Sequence, residues 1–216
     1  MLKLRTDTRY VSAEGKMTQA GVEAIQGQID DNSASTTALT TRVATLEAAS
    51  DLFYRPNAAL VGANVNTAQD VFALDVTLAA STIYEYEMFF SAVKTAGTTS
   101  HTMSVGWAGT ATINNIQRYL DTSAILSTAT VNNVLATHGY LLSSAVTVVA
   151  TGLNTANVNF WYREVGTVSI NAGGTFIPKY QLSAAPGGAY SVNAGSFFKL
   201  RRLGAAGADV SFGAWA

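Results

Sequence analysis

The sequence predicts a mainly β protein, in which an N-terminal trimeric coiled-coil stalk is followed by a jelly-roll-like β-sandwich knob. Three observations carry this. A heptad repeat runs without a slip through residues 22–46. Charged residues thin out after residue 51. Beyond that point apolar residues recur at every second position, in short runs separated by Gly, Pro and Asn.

Residues 1–21 read as an attachment segment. Leu2, Lys3, Leu4 and Arg5 alternate, and the chain through Thr6, Tyr10 and Val11 suits an extended form. A docking peptide for a larger assembly, with Leu4, Thr6, Tyr10 and Val11 as its contacts, competes here with a frayed polar tail. Thr18 is placed to cap a helix whose first turn contains Gly21.

The seam of that helix holds Val22, Ile29, Thr36 and Val43 at a, and Ile25, Asn32, Leu39 and Leu46 at d, with Phe53 on the next d position. A helix lying on its own domain would show a wider apolar face than this strict stripe. The expected partners are further copies of the same helix. β-branched residues at both a and d, as in Val22, Ile25 and Ile29, favour three strands over two. Asn32 and Thr36 cost stability but fix the register. Residues 31–35 (DNSAS) have poor helix propensity, so a break capped by Ser33 or Ser35 competes with a continuous rod. The stalk is assigned to residues 22–53, with Pro56 ending the helix.

Composition sets a boundary at the same place. Residues 1–51 carry 12 of the 27 charges, and the remaining 165 residues carry the other 15. The net charge of −1 offers no broad grip on nucleic acid or an anionic membrane. With no cysteine there is no disulfide framework, thiolate nucleophile or cysteine zinc site. No apolar run approaches the ~18 residues of a membrane span. The start, MLKLR, is not followed by the apolar stretch of a signal peptide, so assembly in a cytosol is expected.

Residues 54–216 are assigned to the knob. Strands are read where Phe72, Leu74, Val76 and Leu78 share a face, then Tyr84, Tyr86, Met88 and Phe90, then His101, Met103, Val105 and Trp107. Further strands hold Val158, Phe160 and Tyr162, then Pro178, Tyr180 and Leu182, then Phe198 and Leu200, with one more over residues 143–152. Turns are expected at Gly109, Asn114 and Asn115, Gly152, Gly173 and Gly174, Pro186 and Gly187, and Gly204. Residues 122–135, rich in Ser, Thr and Asn, read as a loop with one short strand. Without helices long enough for βαβ units, the arrangement is a sandwich or jelly roll. Its neutral outward residues would leave edges prone to association, which packing three copies around an axis hides.

Six stretches resemble the C-terminal β-domain of tailed-bacteriophage fibre and virion structural proteins: residues 82–88 (TIYEYEM), 97–102 (GTTSHT), 106–112 (GWAGTAT), 170–178 (INAGGTFIP), 185–188 (APGG) and 194–200 (AGSFFKL). The ending, SFGAWA over residues 211–216, is similar too. So is residues 10–18 (YVSAEGKMT) to the short segment by which some fibres attach to a virion. The resemblance implies a homotrimer with a coiled-coil stalk and a jelly-roll-like knob. It also implies a virion location, assembly in the bacterial host cytoplasm, and other virion proteins of tail or capsid as partners.

No catalytic constellation stands out, and no enzyme activity, cofactor or metal is expected. His101 shares a face with Met103 and Trp107 and reads as a core histidine, and His138 beside Gly139 reads as a solvated loop residue. Neither H-E-x-x-H nor G-x-S-x-G occurs. Glu85 and Glu87 lie ~6–7 Å apart on one strand face, a spacing that sugar hydrolysis could use but that two solvated glutamates also show. Gly173 and Gly174 make a hairpin turn with no helix N-terminus to hold phosphate. Asp70, Asp75 and Asp121 could serve a metal only if separate turns converge. Trp161 and Trp107 are the candidate glycan contacts; Trp161 lies on the strand face opposite Val158, Phe160 and Tyr162, where burial at a trimer axis is the favoured reading and glycan contact the other. The expected function is a non-enzymatic, trimeric tail fibre binding a host surface polysaccharide. A capsid decoration protein or head fibre is the second reading, and a glycan-degrading spike the third.

Overall fold

The computed structural model describes residues 18–48, 51–126 and 134–207. It divides into two compact units, residues 1–50 and 51–216.

The first unit contains one helix, α1 (Gln19–Ala48). Its 30 residues span about 45 Å at ~1.5 Å per residue. Thr18 is the cap, its Oγ1 accepting from the Gly21 N–H at 3.1 Å. The helix runs unbroken through residues 31–35. Thr36, Thr37, Thr40 and Thr41 each turn a hydroxyl back to the carbonyl four residues earlier, which satisfies the hydroxyls without interrupting the helix. Gln19 to Glu23 and Gln26 to Asp30 add bonds one turn apart.

The second unit is a two-layer antiparallel sandwich. In chain order its strands are β1 (Leu52–Tyr54), β2 (Leu60–Val61), β3 (Gln69–Asp70), β4 (Val76–Leu78), β5 (Thr82–Lys94), β6 (Met103–Ala108) and β7 (Thr112–Ile125). They continue as β8 (Val134–Leu141), β9 (Thr147–Ala150), β10 (Val158–Ala172), β11 (Gly174–Leu182), β12 (Ser191–Val192) and β13 (Phe197–Ala205). β4 pairs with β11, β5 with β10, β6 with β9 and β7 with β8. That is one long hairpin rolled up so that successive pairs alternate between layers, which is the jelly-roll arrangement. β10 against β7 and β11 against β6 close the roll. β13 and then β1 extend the larger sheet beyond β5.

Four expectations are corrected by chain detail. Phe53 belongs to β1, opposite Lys199, and not to the helical seam, so the boundary falls before Asp51 rather than after residue 53. Residues 72–78 do not form one strand. β3 and β4 lie in succession along β11, and the ladder breaks at Pro178, which accepts from the Val71 N–H at 3.0 Å but has no N–H to return. Asn114 is a bulge inside β7 rather than a turn, and Gly204 sits at a bulge in β13. β7 continues to Ile125 and His138 lies in β8, so the expected loop over residues 122–135 contains strand at both ends.

Between the sheets lie Tyr86, Met88 and Phe90 of β5, Met103 and Val105 of β6, and Phe160 and Tyr162 of β10, all buried. Their period-2 spacing is why these segments are strands with one dry face. Among the described residues no helix is long and apolar enough to cross a membrane.

Candidate functional site

Alternation on β5, β10 and β13 sends the other half of their side chains to the outer face of the large sheet. There Trp161, Phe89, Phe197 and Phe53 form an aromatic row across β10, β5, β13 and β1, with successive ring centroids 6.5, 5.9 and 5.8 Å apart. The two ends are open to solvent: Trp161 is 37% exposed and Phe53 62%. Leu52, Phe53, Tyr54, Leu74, Val76 and Phe198 line a cleft of about 250 Å³ at the β1 end.

Beside the aromatic row lies a charged one. Arg163 donates from Nε (3.0 Å) and Nη2 (2.8 Å) to Glu87, and Arg201 from Nη2 (2.6 Å) to Glu85. Glu85, Glu87, Arg163, Val165 and Lys199 border a depression of about 280 Å³. The two glutamates are therefore not a free carboxylate pair; each is held by an arginine from a neighbouring strand. Further along, the Tyr119 and Tyr140 rings meet at 4.9 Å, tilted by 40°, and Asp121 bonds His138. Chemically, this face offers aromatic surface next to fixed donors and acceptors.

The candidate residues scatter between face, interior and helix. Trp161 is where a ligand can reach it. Trp107 is not: it lies on the inner face of β6, 6% exposed, flat against Phe176 at 4.0 Å, and cannot contact a glycan. Along α1, Val22, Ile29, Leu39 and Val43 are 43–59% exposed, Ile25 is half-buried, and Asn32 and Thr36 are exposed. The side chain of Leu46, and all of Leu4, Thr6, Tyr10 and Val11, lie outside the described residues. Asp70 bonds Lys179 and Asp121 bonds His138. Among the described residues no three His, Asp or Glu side chains group as metal ligands would.

The residues that sequence reasoning missed are inside. Glu164 of β10 and Arg118 of β7 are both 0% exposed and joined by two bonds of 2.9 Å. Tyr86 Oη (2.7 Å), Trp107 Nε1 (2.8 Å) and the Tyr162 hydroxyl also donate to the carboxylate. Arg118 has five N–H groups, and the three not used on Glu164 find the carbonyls of Ser143 (3.0 Å), Ala145 (3.1 Å) and Val105 (3.2 Å). Burial alone would lower the Arg118 pKa, but the bonds and charge of Glu164 outweigh it and hold it above its ordinary value. Burial, and then the Glu164 charge, push the Tyr86 and Tyr162 hydroxyls up. Gly166 faces Tyr86 on one side and Arg118 on the other, and a Cβ there would collide with the Tyr86 ring at 2.9 Å. A signal for this cluster was in the sequence: the run Val158, Phe160, Tyr162 continues in phase to Glu164.

A second interior group surrounds His101, which is a core histidine as expected. The Thr99 carbonyl can only accept, so Nδ1 carries the proton (2.7 Å) and Nε2 of the neutral ring accepts from Tyr190 Oη (2.8 Å). Burial lowers the His101 pKa, the Thr99 bond opposes this, and the charge of Lys94 adds to it. Lys94 itself is buried, donates to Gly97 O at 3.0 Å, and is lowered by desolvation.

No protein-family model matches the chain, and no curated protein matches it in sequence. Among solved structures it is similar to a chain of the structure of infectious bursal disease virus Gx strain, at 14% identity, covering 71% of this chain and 39% of that one, with a TM-score of 0.23. A likeness at that TM-score carries no argument about fold or function.

Glu164→Gln or Arg118→Met leaves one buried partner unpaired and should cost about 3–5 kcal/mol in urea unfolding, with the double variant costing less than the sum of the two. Glu85→Gln and Glu87→Gln, on exposed pairs, should each cost under about 1 kcal/mol in the same measurement. Because the folded pKa of His101 lies below the unfolded value, its contribution is complete above pH ~6.5 and is lost as pH falls from there. Between pH 7 and pH 5 the unfolding midpoint of the wild type should therefore fall more than that of His101→Gln.

Proposed function

We propose that the chain is a non-enzymatic structural protein of a tailed-phage virion. In this reading it is a homotrimeric fibre that α1 assembles and whose sandwich meets a host surface glycan. The observation that carries the trimer is the seam: a helix of 30 residues keeps its heptad stripe in phase along its length and leaves Val22, Ile29, Leu39 and Val43 of that stripe exposed. Burying one Val, Leu or Ile contributes about 1.5–3 kcal/mol, so the a and d layers of three helices supply a large driving force.

The flanking e and g positions between Val22 and Glu47 are Gln26, Gln28, Ser33, Ser35, Thr40, Arg42 and Glu47, uncharged except for the last g–e pair, Arg42 and Glu47, so packing sets the strand number and one ion pair is left to help fix the register. Val22, Ile25 and Ile29 favour three strands, whereas Val43 at a with Leu39 at d is the pattern of a dimer. The first three layers, Val22, Ile25 and Ile29, where the seam is wholly apolar, support three. Residues 1–21 are the segment that joins the fibre to other virion proteins, in tail or capsid.

Support for the glycan comes from Trp161, which is reachable and stands beside the Arg163–Glu87 pair on the same face. An aromatic face next to fixed hydrogen-bonding groups is the chemistry of a sugar platform. Three weak sites on one axis gain by avidity. Neither nucleic acid nor membrane enters this proposal.

In sedimentation the chain of residues 1–216 should behave as three copies at micromolar concentration. Ile29→Asp or Leu39→Asp should weaken that association at least about a hundredfold while leaving the sandwich's unfolding midpoint unchanged. A well-folded single copy of the unaltered chain would end the fibre reading. The purified chain should also compete with particles for adsorption to host cells, and Trp161→Ala should lose that competition. No competition, together with hundreds of copies per particle, would favour the capsid decoration protein instead.

A further inference from the structure

We infer that the connections β5–β6 (residues 95–102) and β11–β12 (residues 183–190) form an acid-operated latch, closed while the His101 ring is neutral and released when that ring takes a second proton. The two connections lie against each other. Gly97 and Gly187 have φ of +79° and +81°, and a Cβ on Gly97 would come within 2.4 Å of the Gly187 and Pro186 backbone. That close approach needs a residue with no side chain. At the base of the connections the Thr102 N–H donates to Ser183 Oγ at 2.9 Å, and the Ser183 N–H to the Thr102 carbonyl at 3.2 Å.

Three buried side chains, Lys94, His101 and Tyr190, tie this contact to the strands. Lys94, the last residue of β5, donates to the Gly97 carbonyl. His101 donates to the Thr99 carbonyl and accepts from the Tyr190 hydroxyl. The His101 and Tyr190 rings meet edge to face with centroids 5.7 Å apart, and Lys94 Nζ lies 5.9 Å from the Tyr190 centroid. The titratable groups around His101 are therefore Lys94 and Tyr190, with Tyr180 of β11 acting on Tyr190. Among the described residues no carboxylate forms an ion pair with Lys94 or His101.

A second proton on His101 undoes this arrangement in two ways. Both ring nitrogens become donors, so the Tyr190 hydroxyl proton loses its acceptor in a buried place. The new charge is also shut in beside the Lys94 ammonium with no carboxylate to offset either. Opening the two connections puts His101 into water, where it titrates near pH ~6.5. Closure is thus favoured above that pH and weakens steadily below it, because the open form binds the extra proton. The bonds of Arg118 and Glu164 run between other strands and to the connection after β8, so the sandwich keeps its register while the latch opens. Proton uptake then acts at one end of the fold before it acts on the whole.

The test follows hydrogen–deuterium exchange of the chain of residues 1–216 by mass spectrometry at pH 7, 6 and 5, with rates corrected for the intrinsic pH dependence of amide exchange. The hydrogen-bonded amides of Thr102, Ser183 and Gly187 supply the protection to be read. From pH 7 to pH 5 protection over residues 95–102 and 183–190 should fall by up to about 25-fold, the ratio set by a solvated histidine of pKa ~6.5. Peptides from β7 and β10 should keep theirs. His101→Gln should abolish the pH dependence, and Lys94→Met, which removes the neighbouring charge, should show a smaller fall than the wild type. A wild-type fall of less than about threefold, or an equal fall in β7 and β10, overturns the latch. So does a His101→Gln chain that keeps the pH dependence, or a Lys94→Met chain whose fall equals the wild type's.

Discussion

Glu164 is a carboxylate with no access to water, and the sandwich is organised around keeping it paired. Its partners come from both layers: Arg118 and Tyr86 lie in the large sheet with it, while Trp107 reaches it from the small one. A buried ion pair is seldom a net source of stability, because desolvating two charges offsets their attraction. What it does strongly is penalise every arrangement that leaves one charge alone. Sliding β10 by one residue against β7 would turn Glu164 outward and strand Arg118 in the core. The pair thus fixes register between β7 and β10 and, through Trp107, alignment between layers. Arg118 extends this to the connection after β8, where it takes the Ser143 and Ala145 carbonyls. A stretch with little apolar anchoring of its own is held by those two bonds and by the Trp107 backbone N–H, which donates to the Ser144 carbonyl at 2.8 Å.

The same parity that turns Glu164 inward turns Trp161 and Arg163 outward. The outer face follows from the inner one: a strand that buries Phe160, Tyr162 and Glu164 has no freedom over what it shows to solvent. On that face Glu85 and Glu87 are neutralised by Arg201 and Arg163. Paired charges cost less to cover than free ones, and they sit next to an aromatic row. The face is suited to contact with a surface carrying few charges, as a neutral polysaccharide or another protein does.

Long segments with one dry face were legible. β5, β6, β10 and β11 announce themselves by strict alternation, and the hairpin between β10 and β11 by its two glycines. What failed did so for local reasons. The alternation over residues 72–78 is genuine, but its partner strand carries Pro178, whose missing N–H cannot be seen from the other strand's sequence. Asn114 and Gly204 are residues that turns and bulges share, and only pairing tells which is which. Phe53 lands on the seam's phase by coincidence: one residue carries no periodicity, and Leu52 to Tyr54 finds a strand edge at β13. Trp107 and Trp161 are alike in composition terms and differ in parity. Phase within a strand decided that Trp161 faces out, and Trp107's in-phase neighbours Met103 and Val105 pointed to the interior. Extending the β10 phase by one more step would also have placed Glu164 inside, and a glutamate there demands an arginine.

The helix poses the opposite problem. Its sequence is a poor helix former where Gly27, Asn32, Ser33 and Ser35 occur, and residues of that kind cost up to about 1 kcal/mol each relative to alanine. Its threonine hydroxyls bond back along the helix, which adds little and tends to bend it. Order in such a segment has to come from burial of the seam, of which Val22, Ile29, Leu39 and Val43 are 43–59% exposed. The interior ion pair acts within one chain, whereas Val22, Ile29, Leu39 and Val43 of the helix stripe are exposed. That asymmetry is the physical reason for proposing assembly at the front of the chain and recognition by the rest.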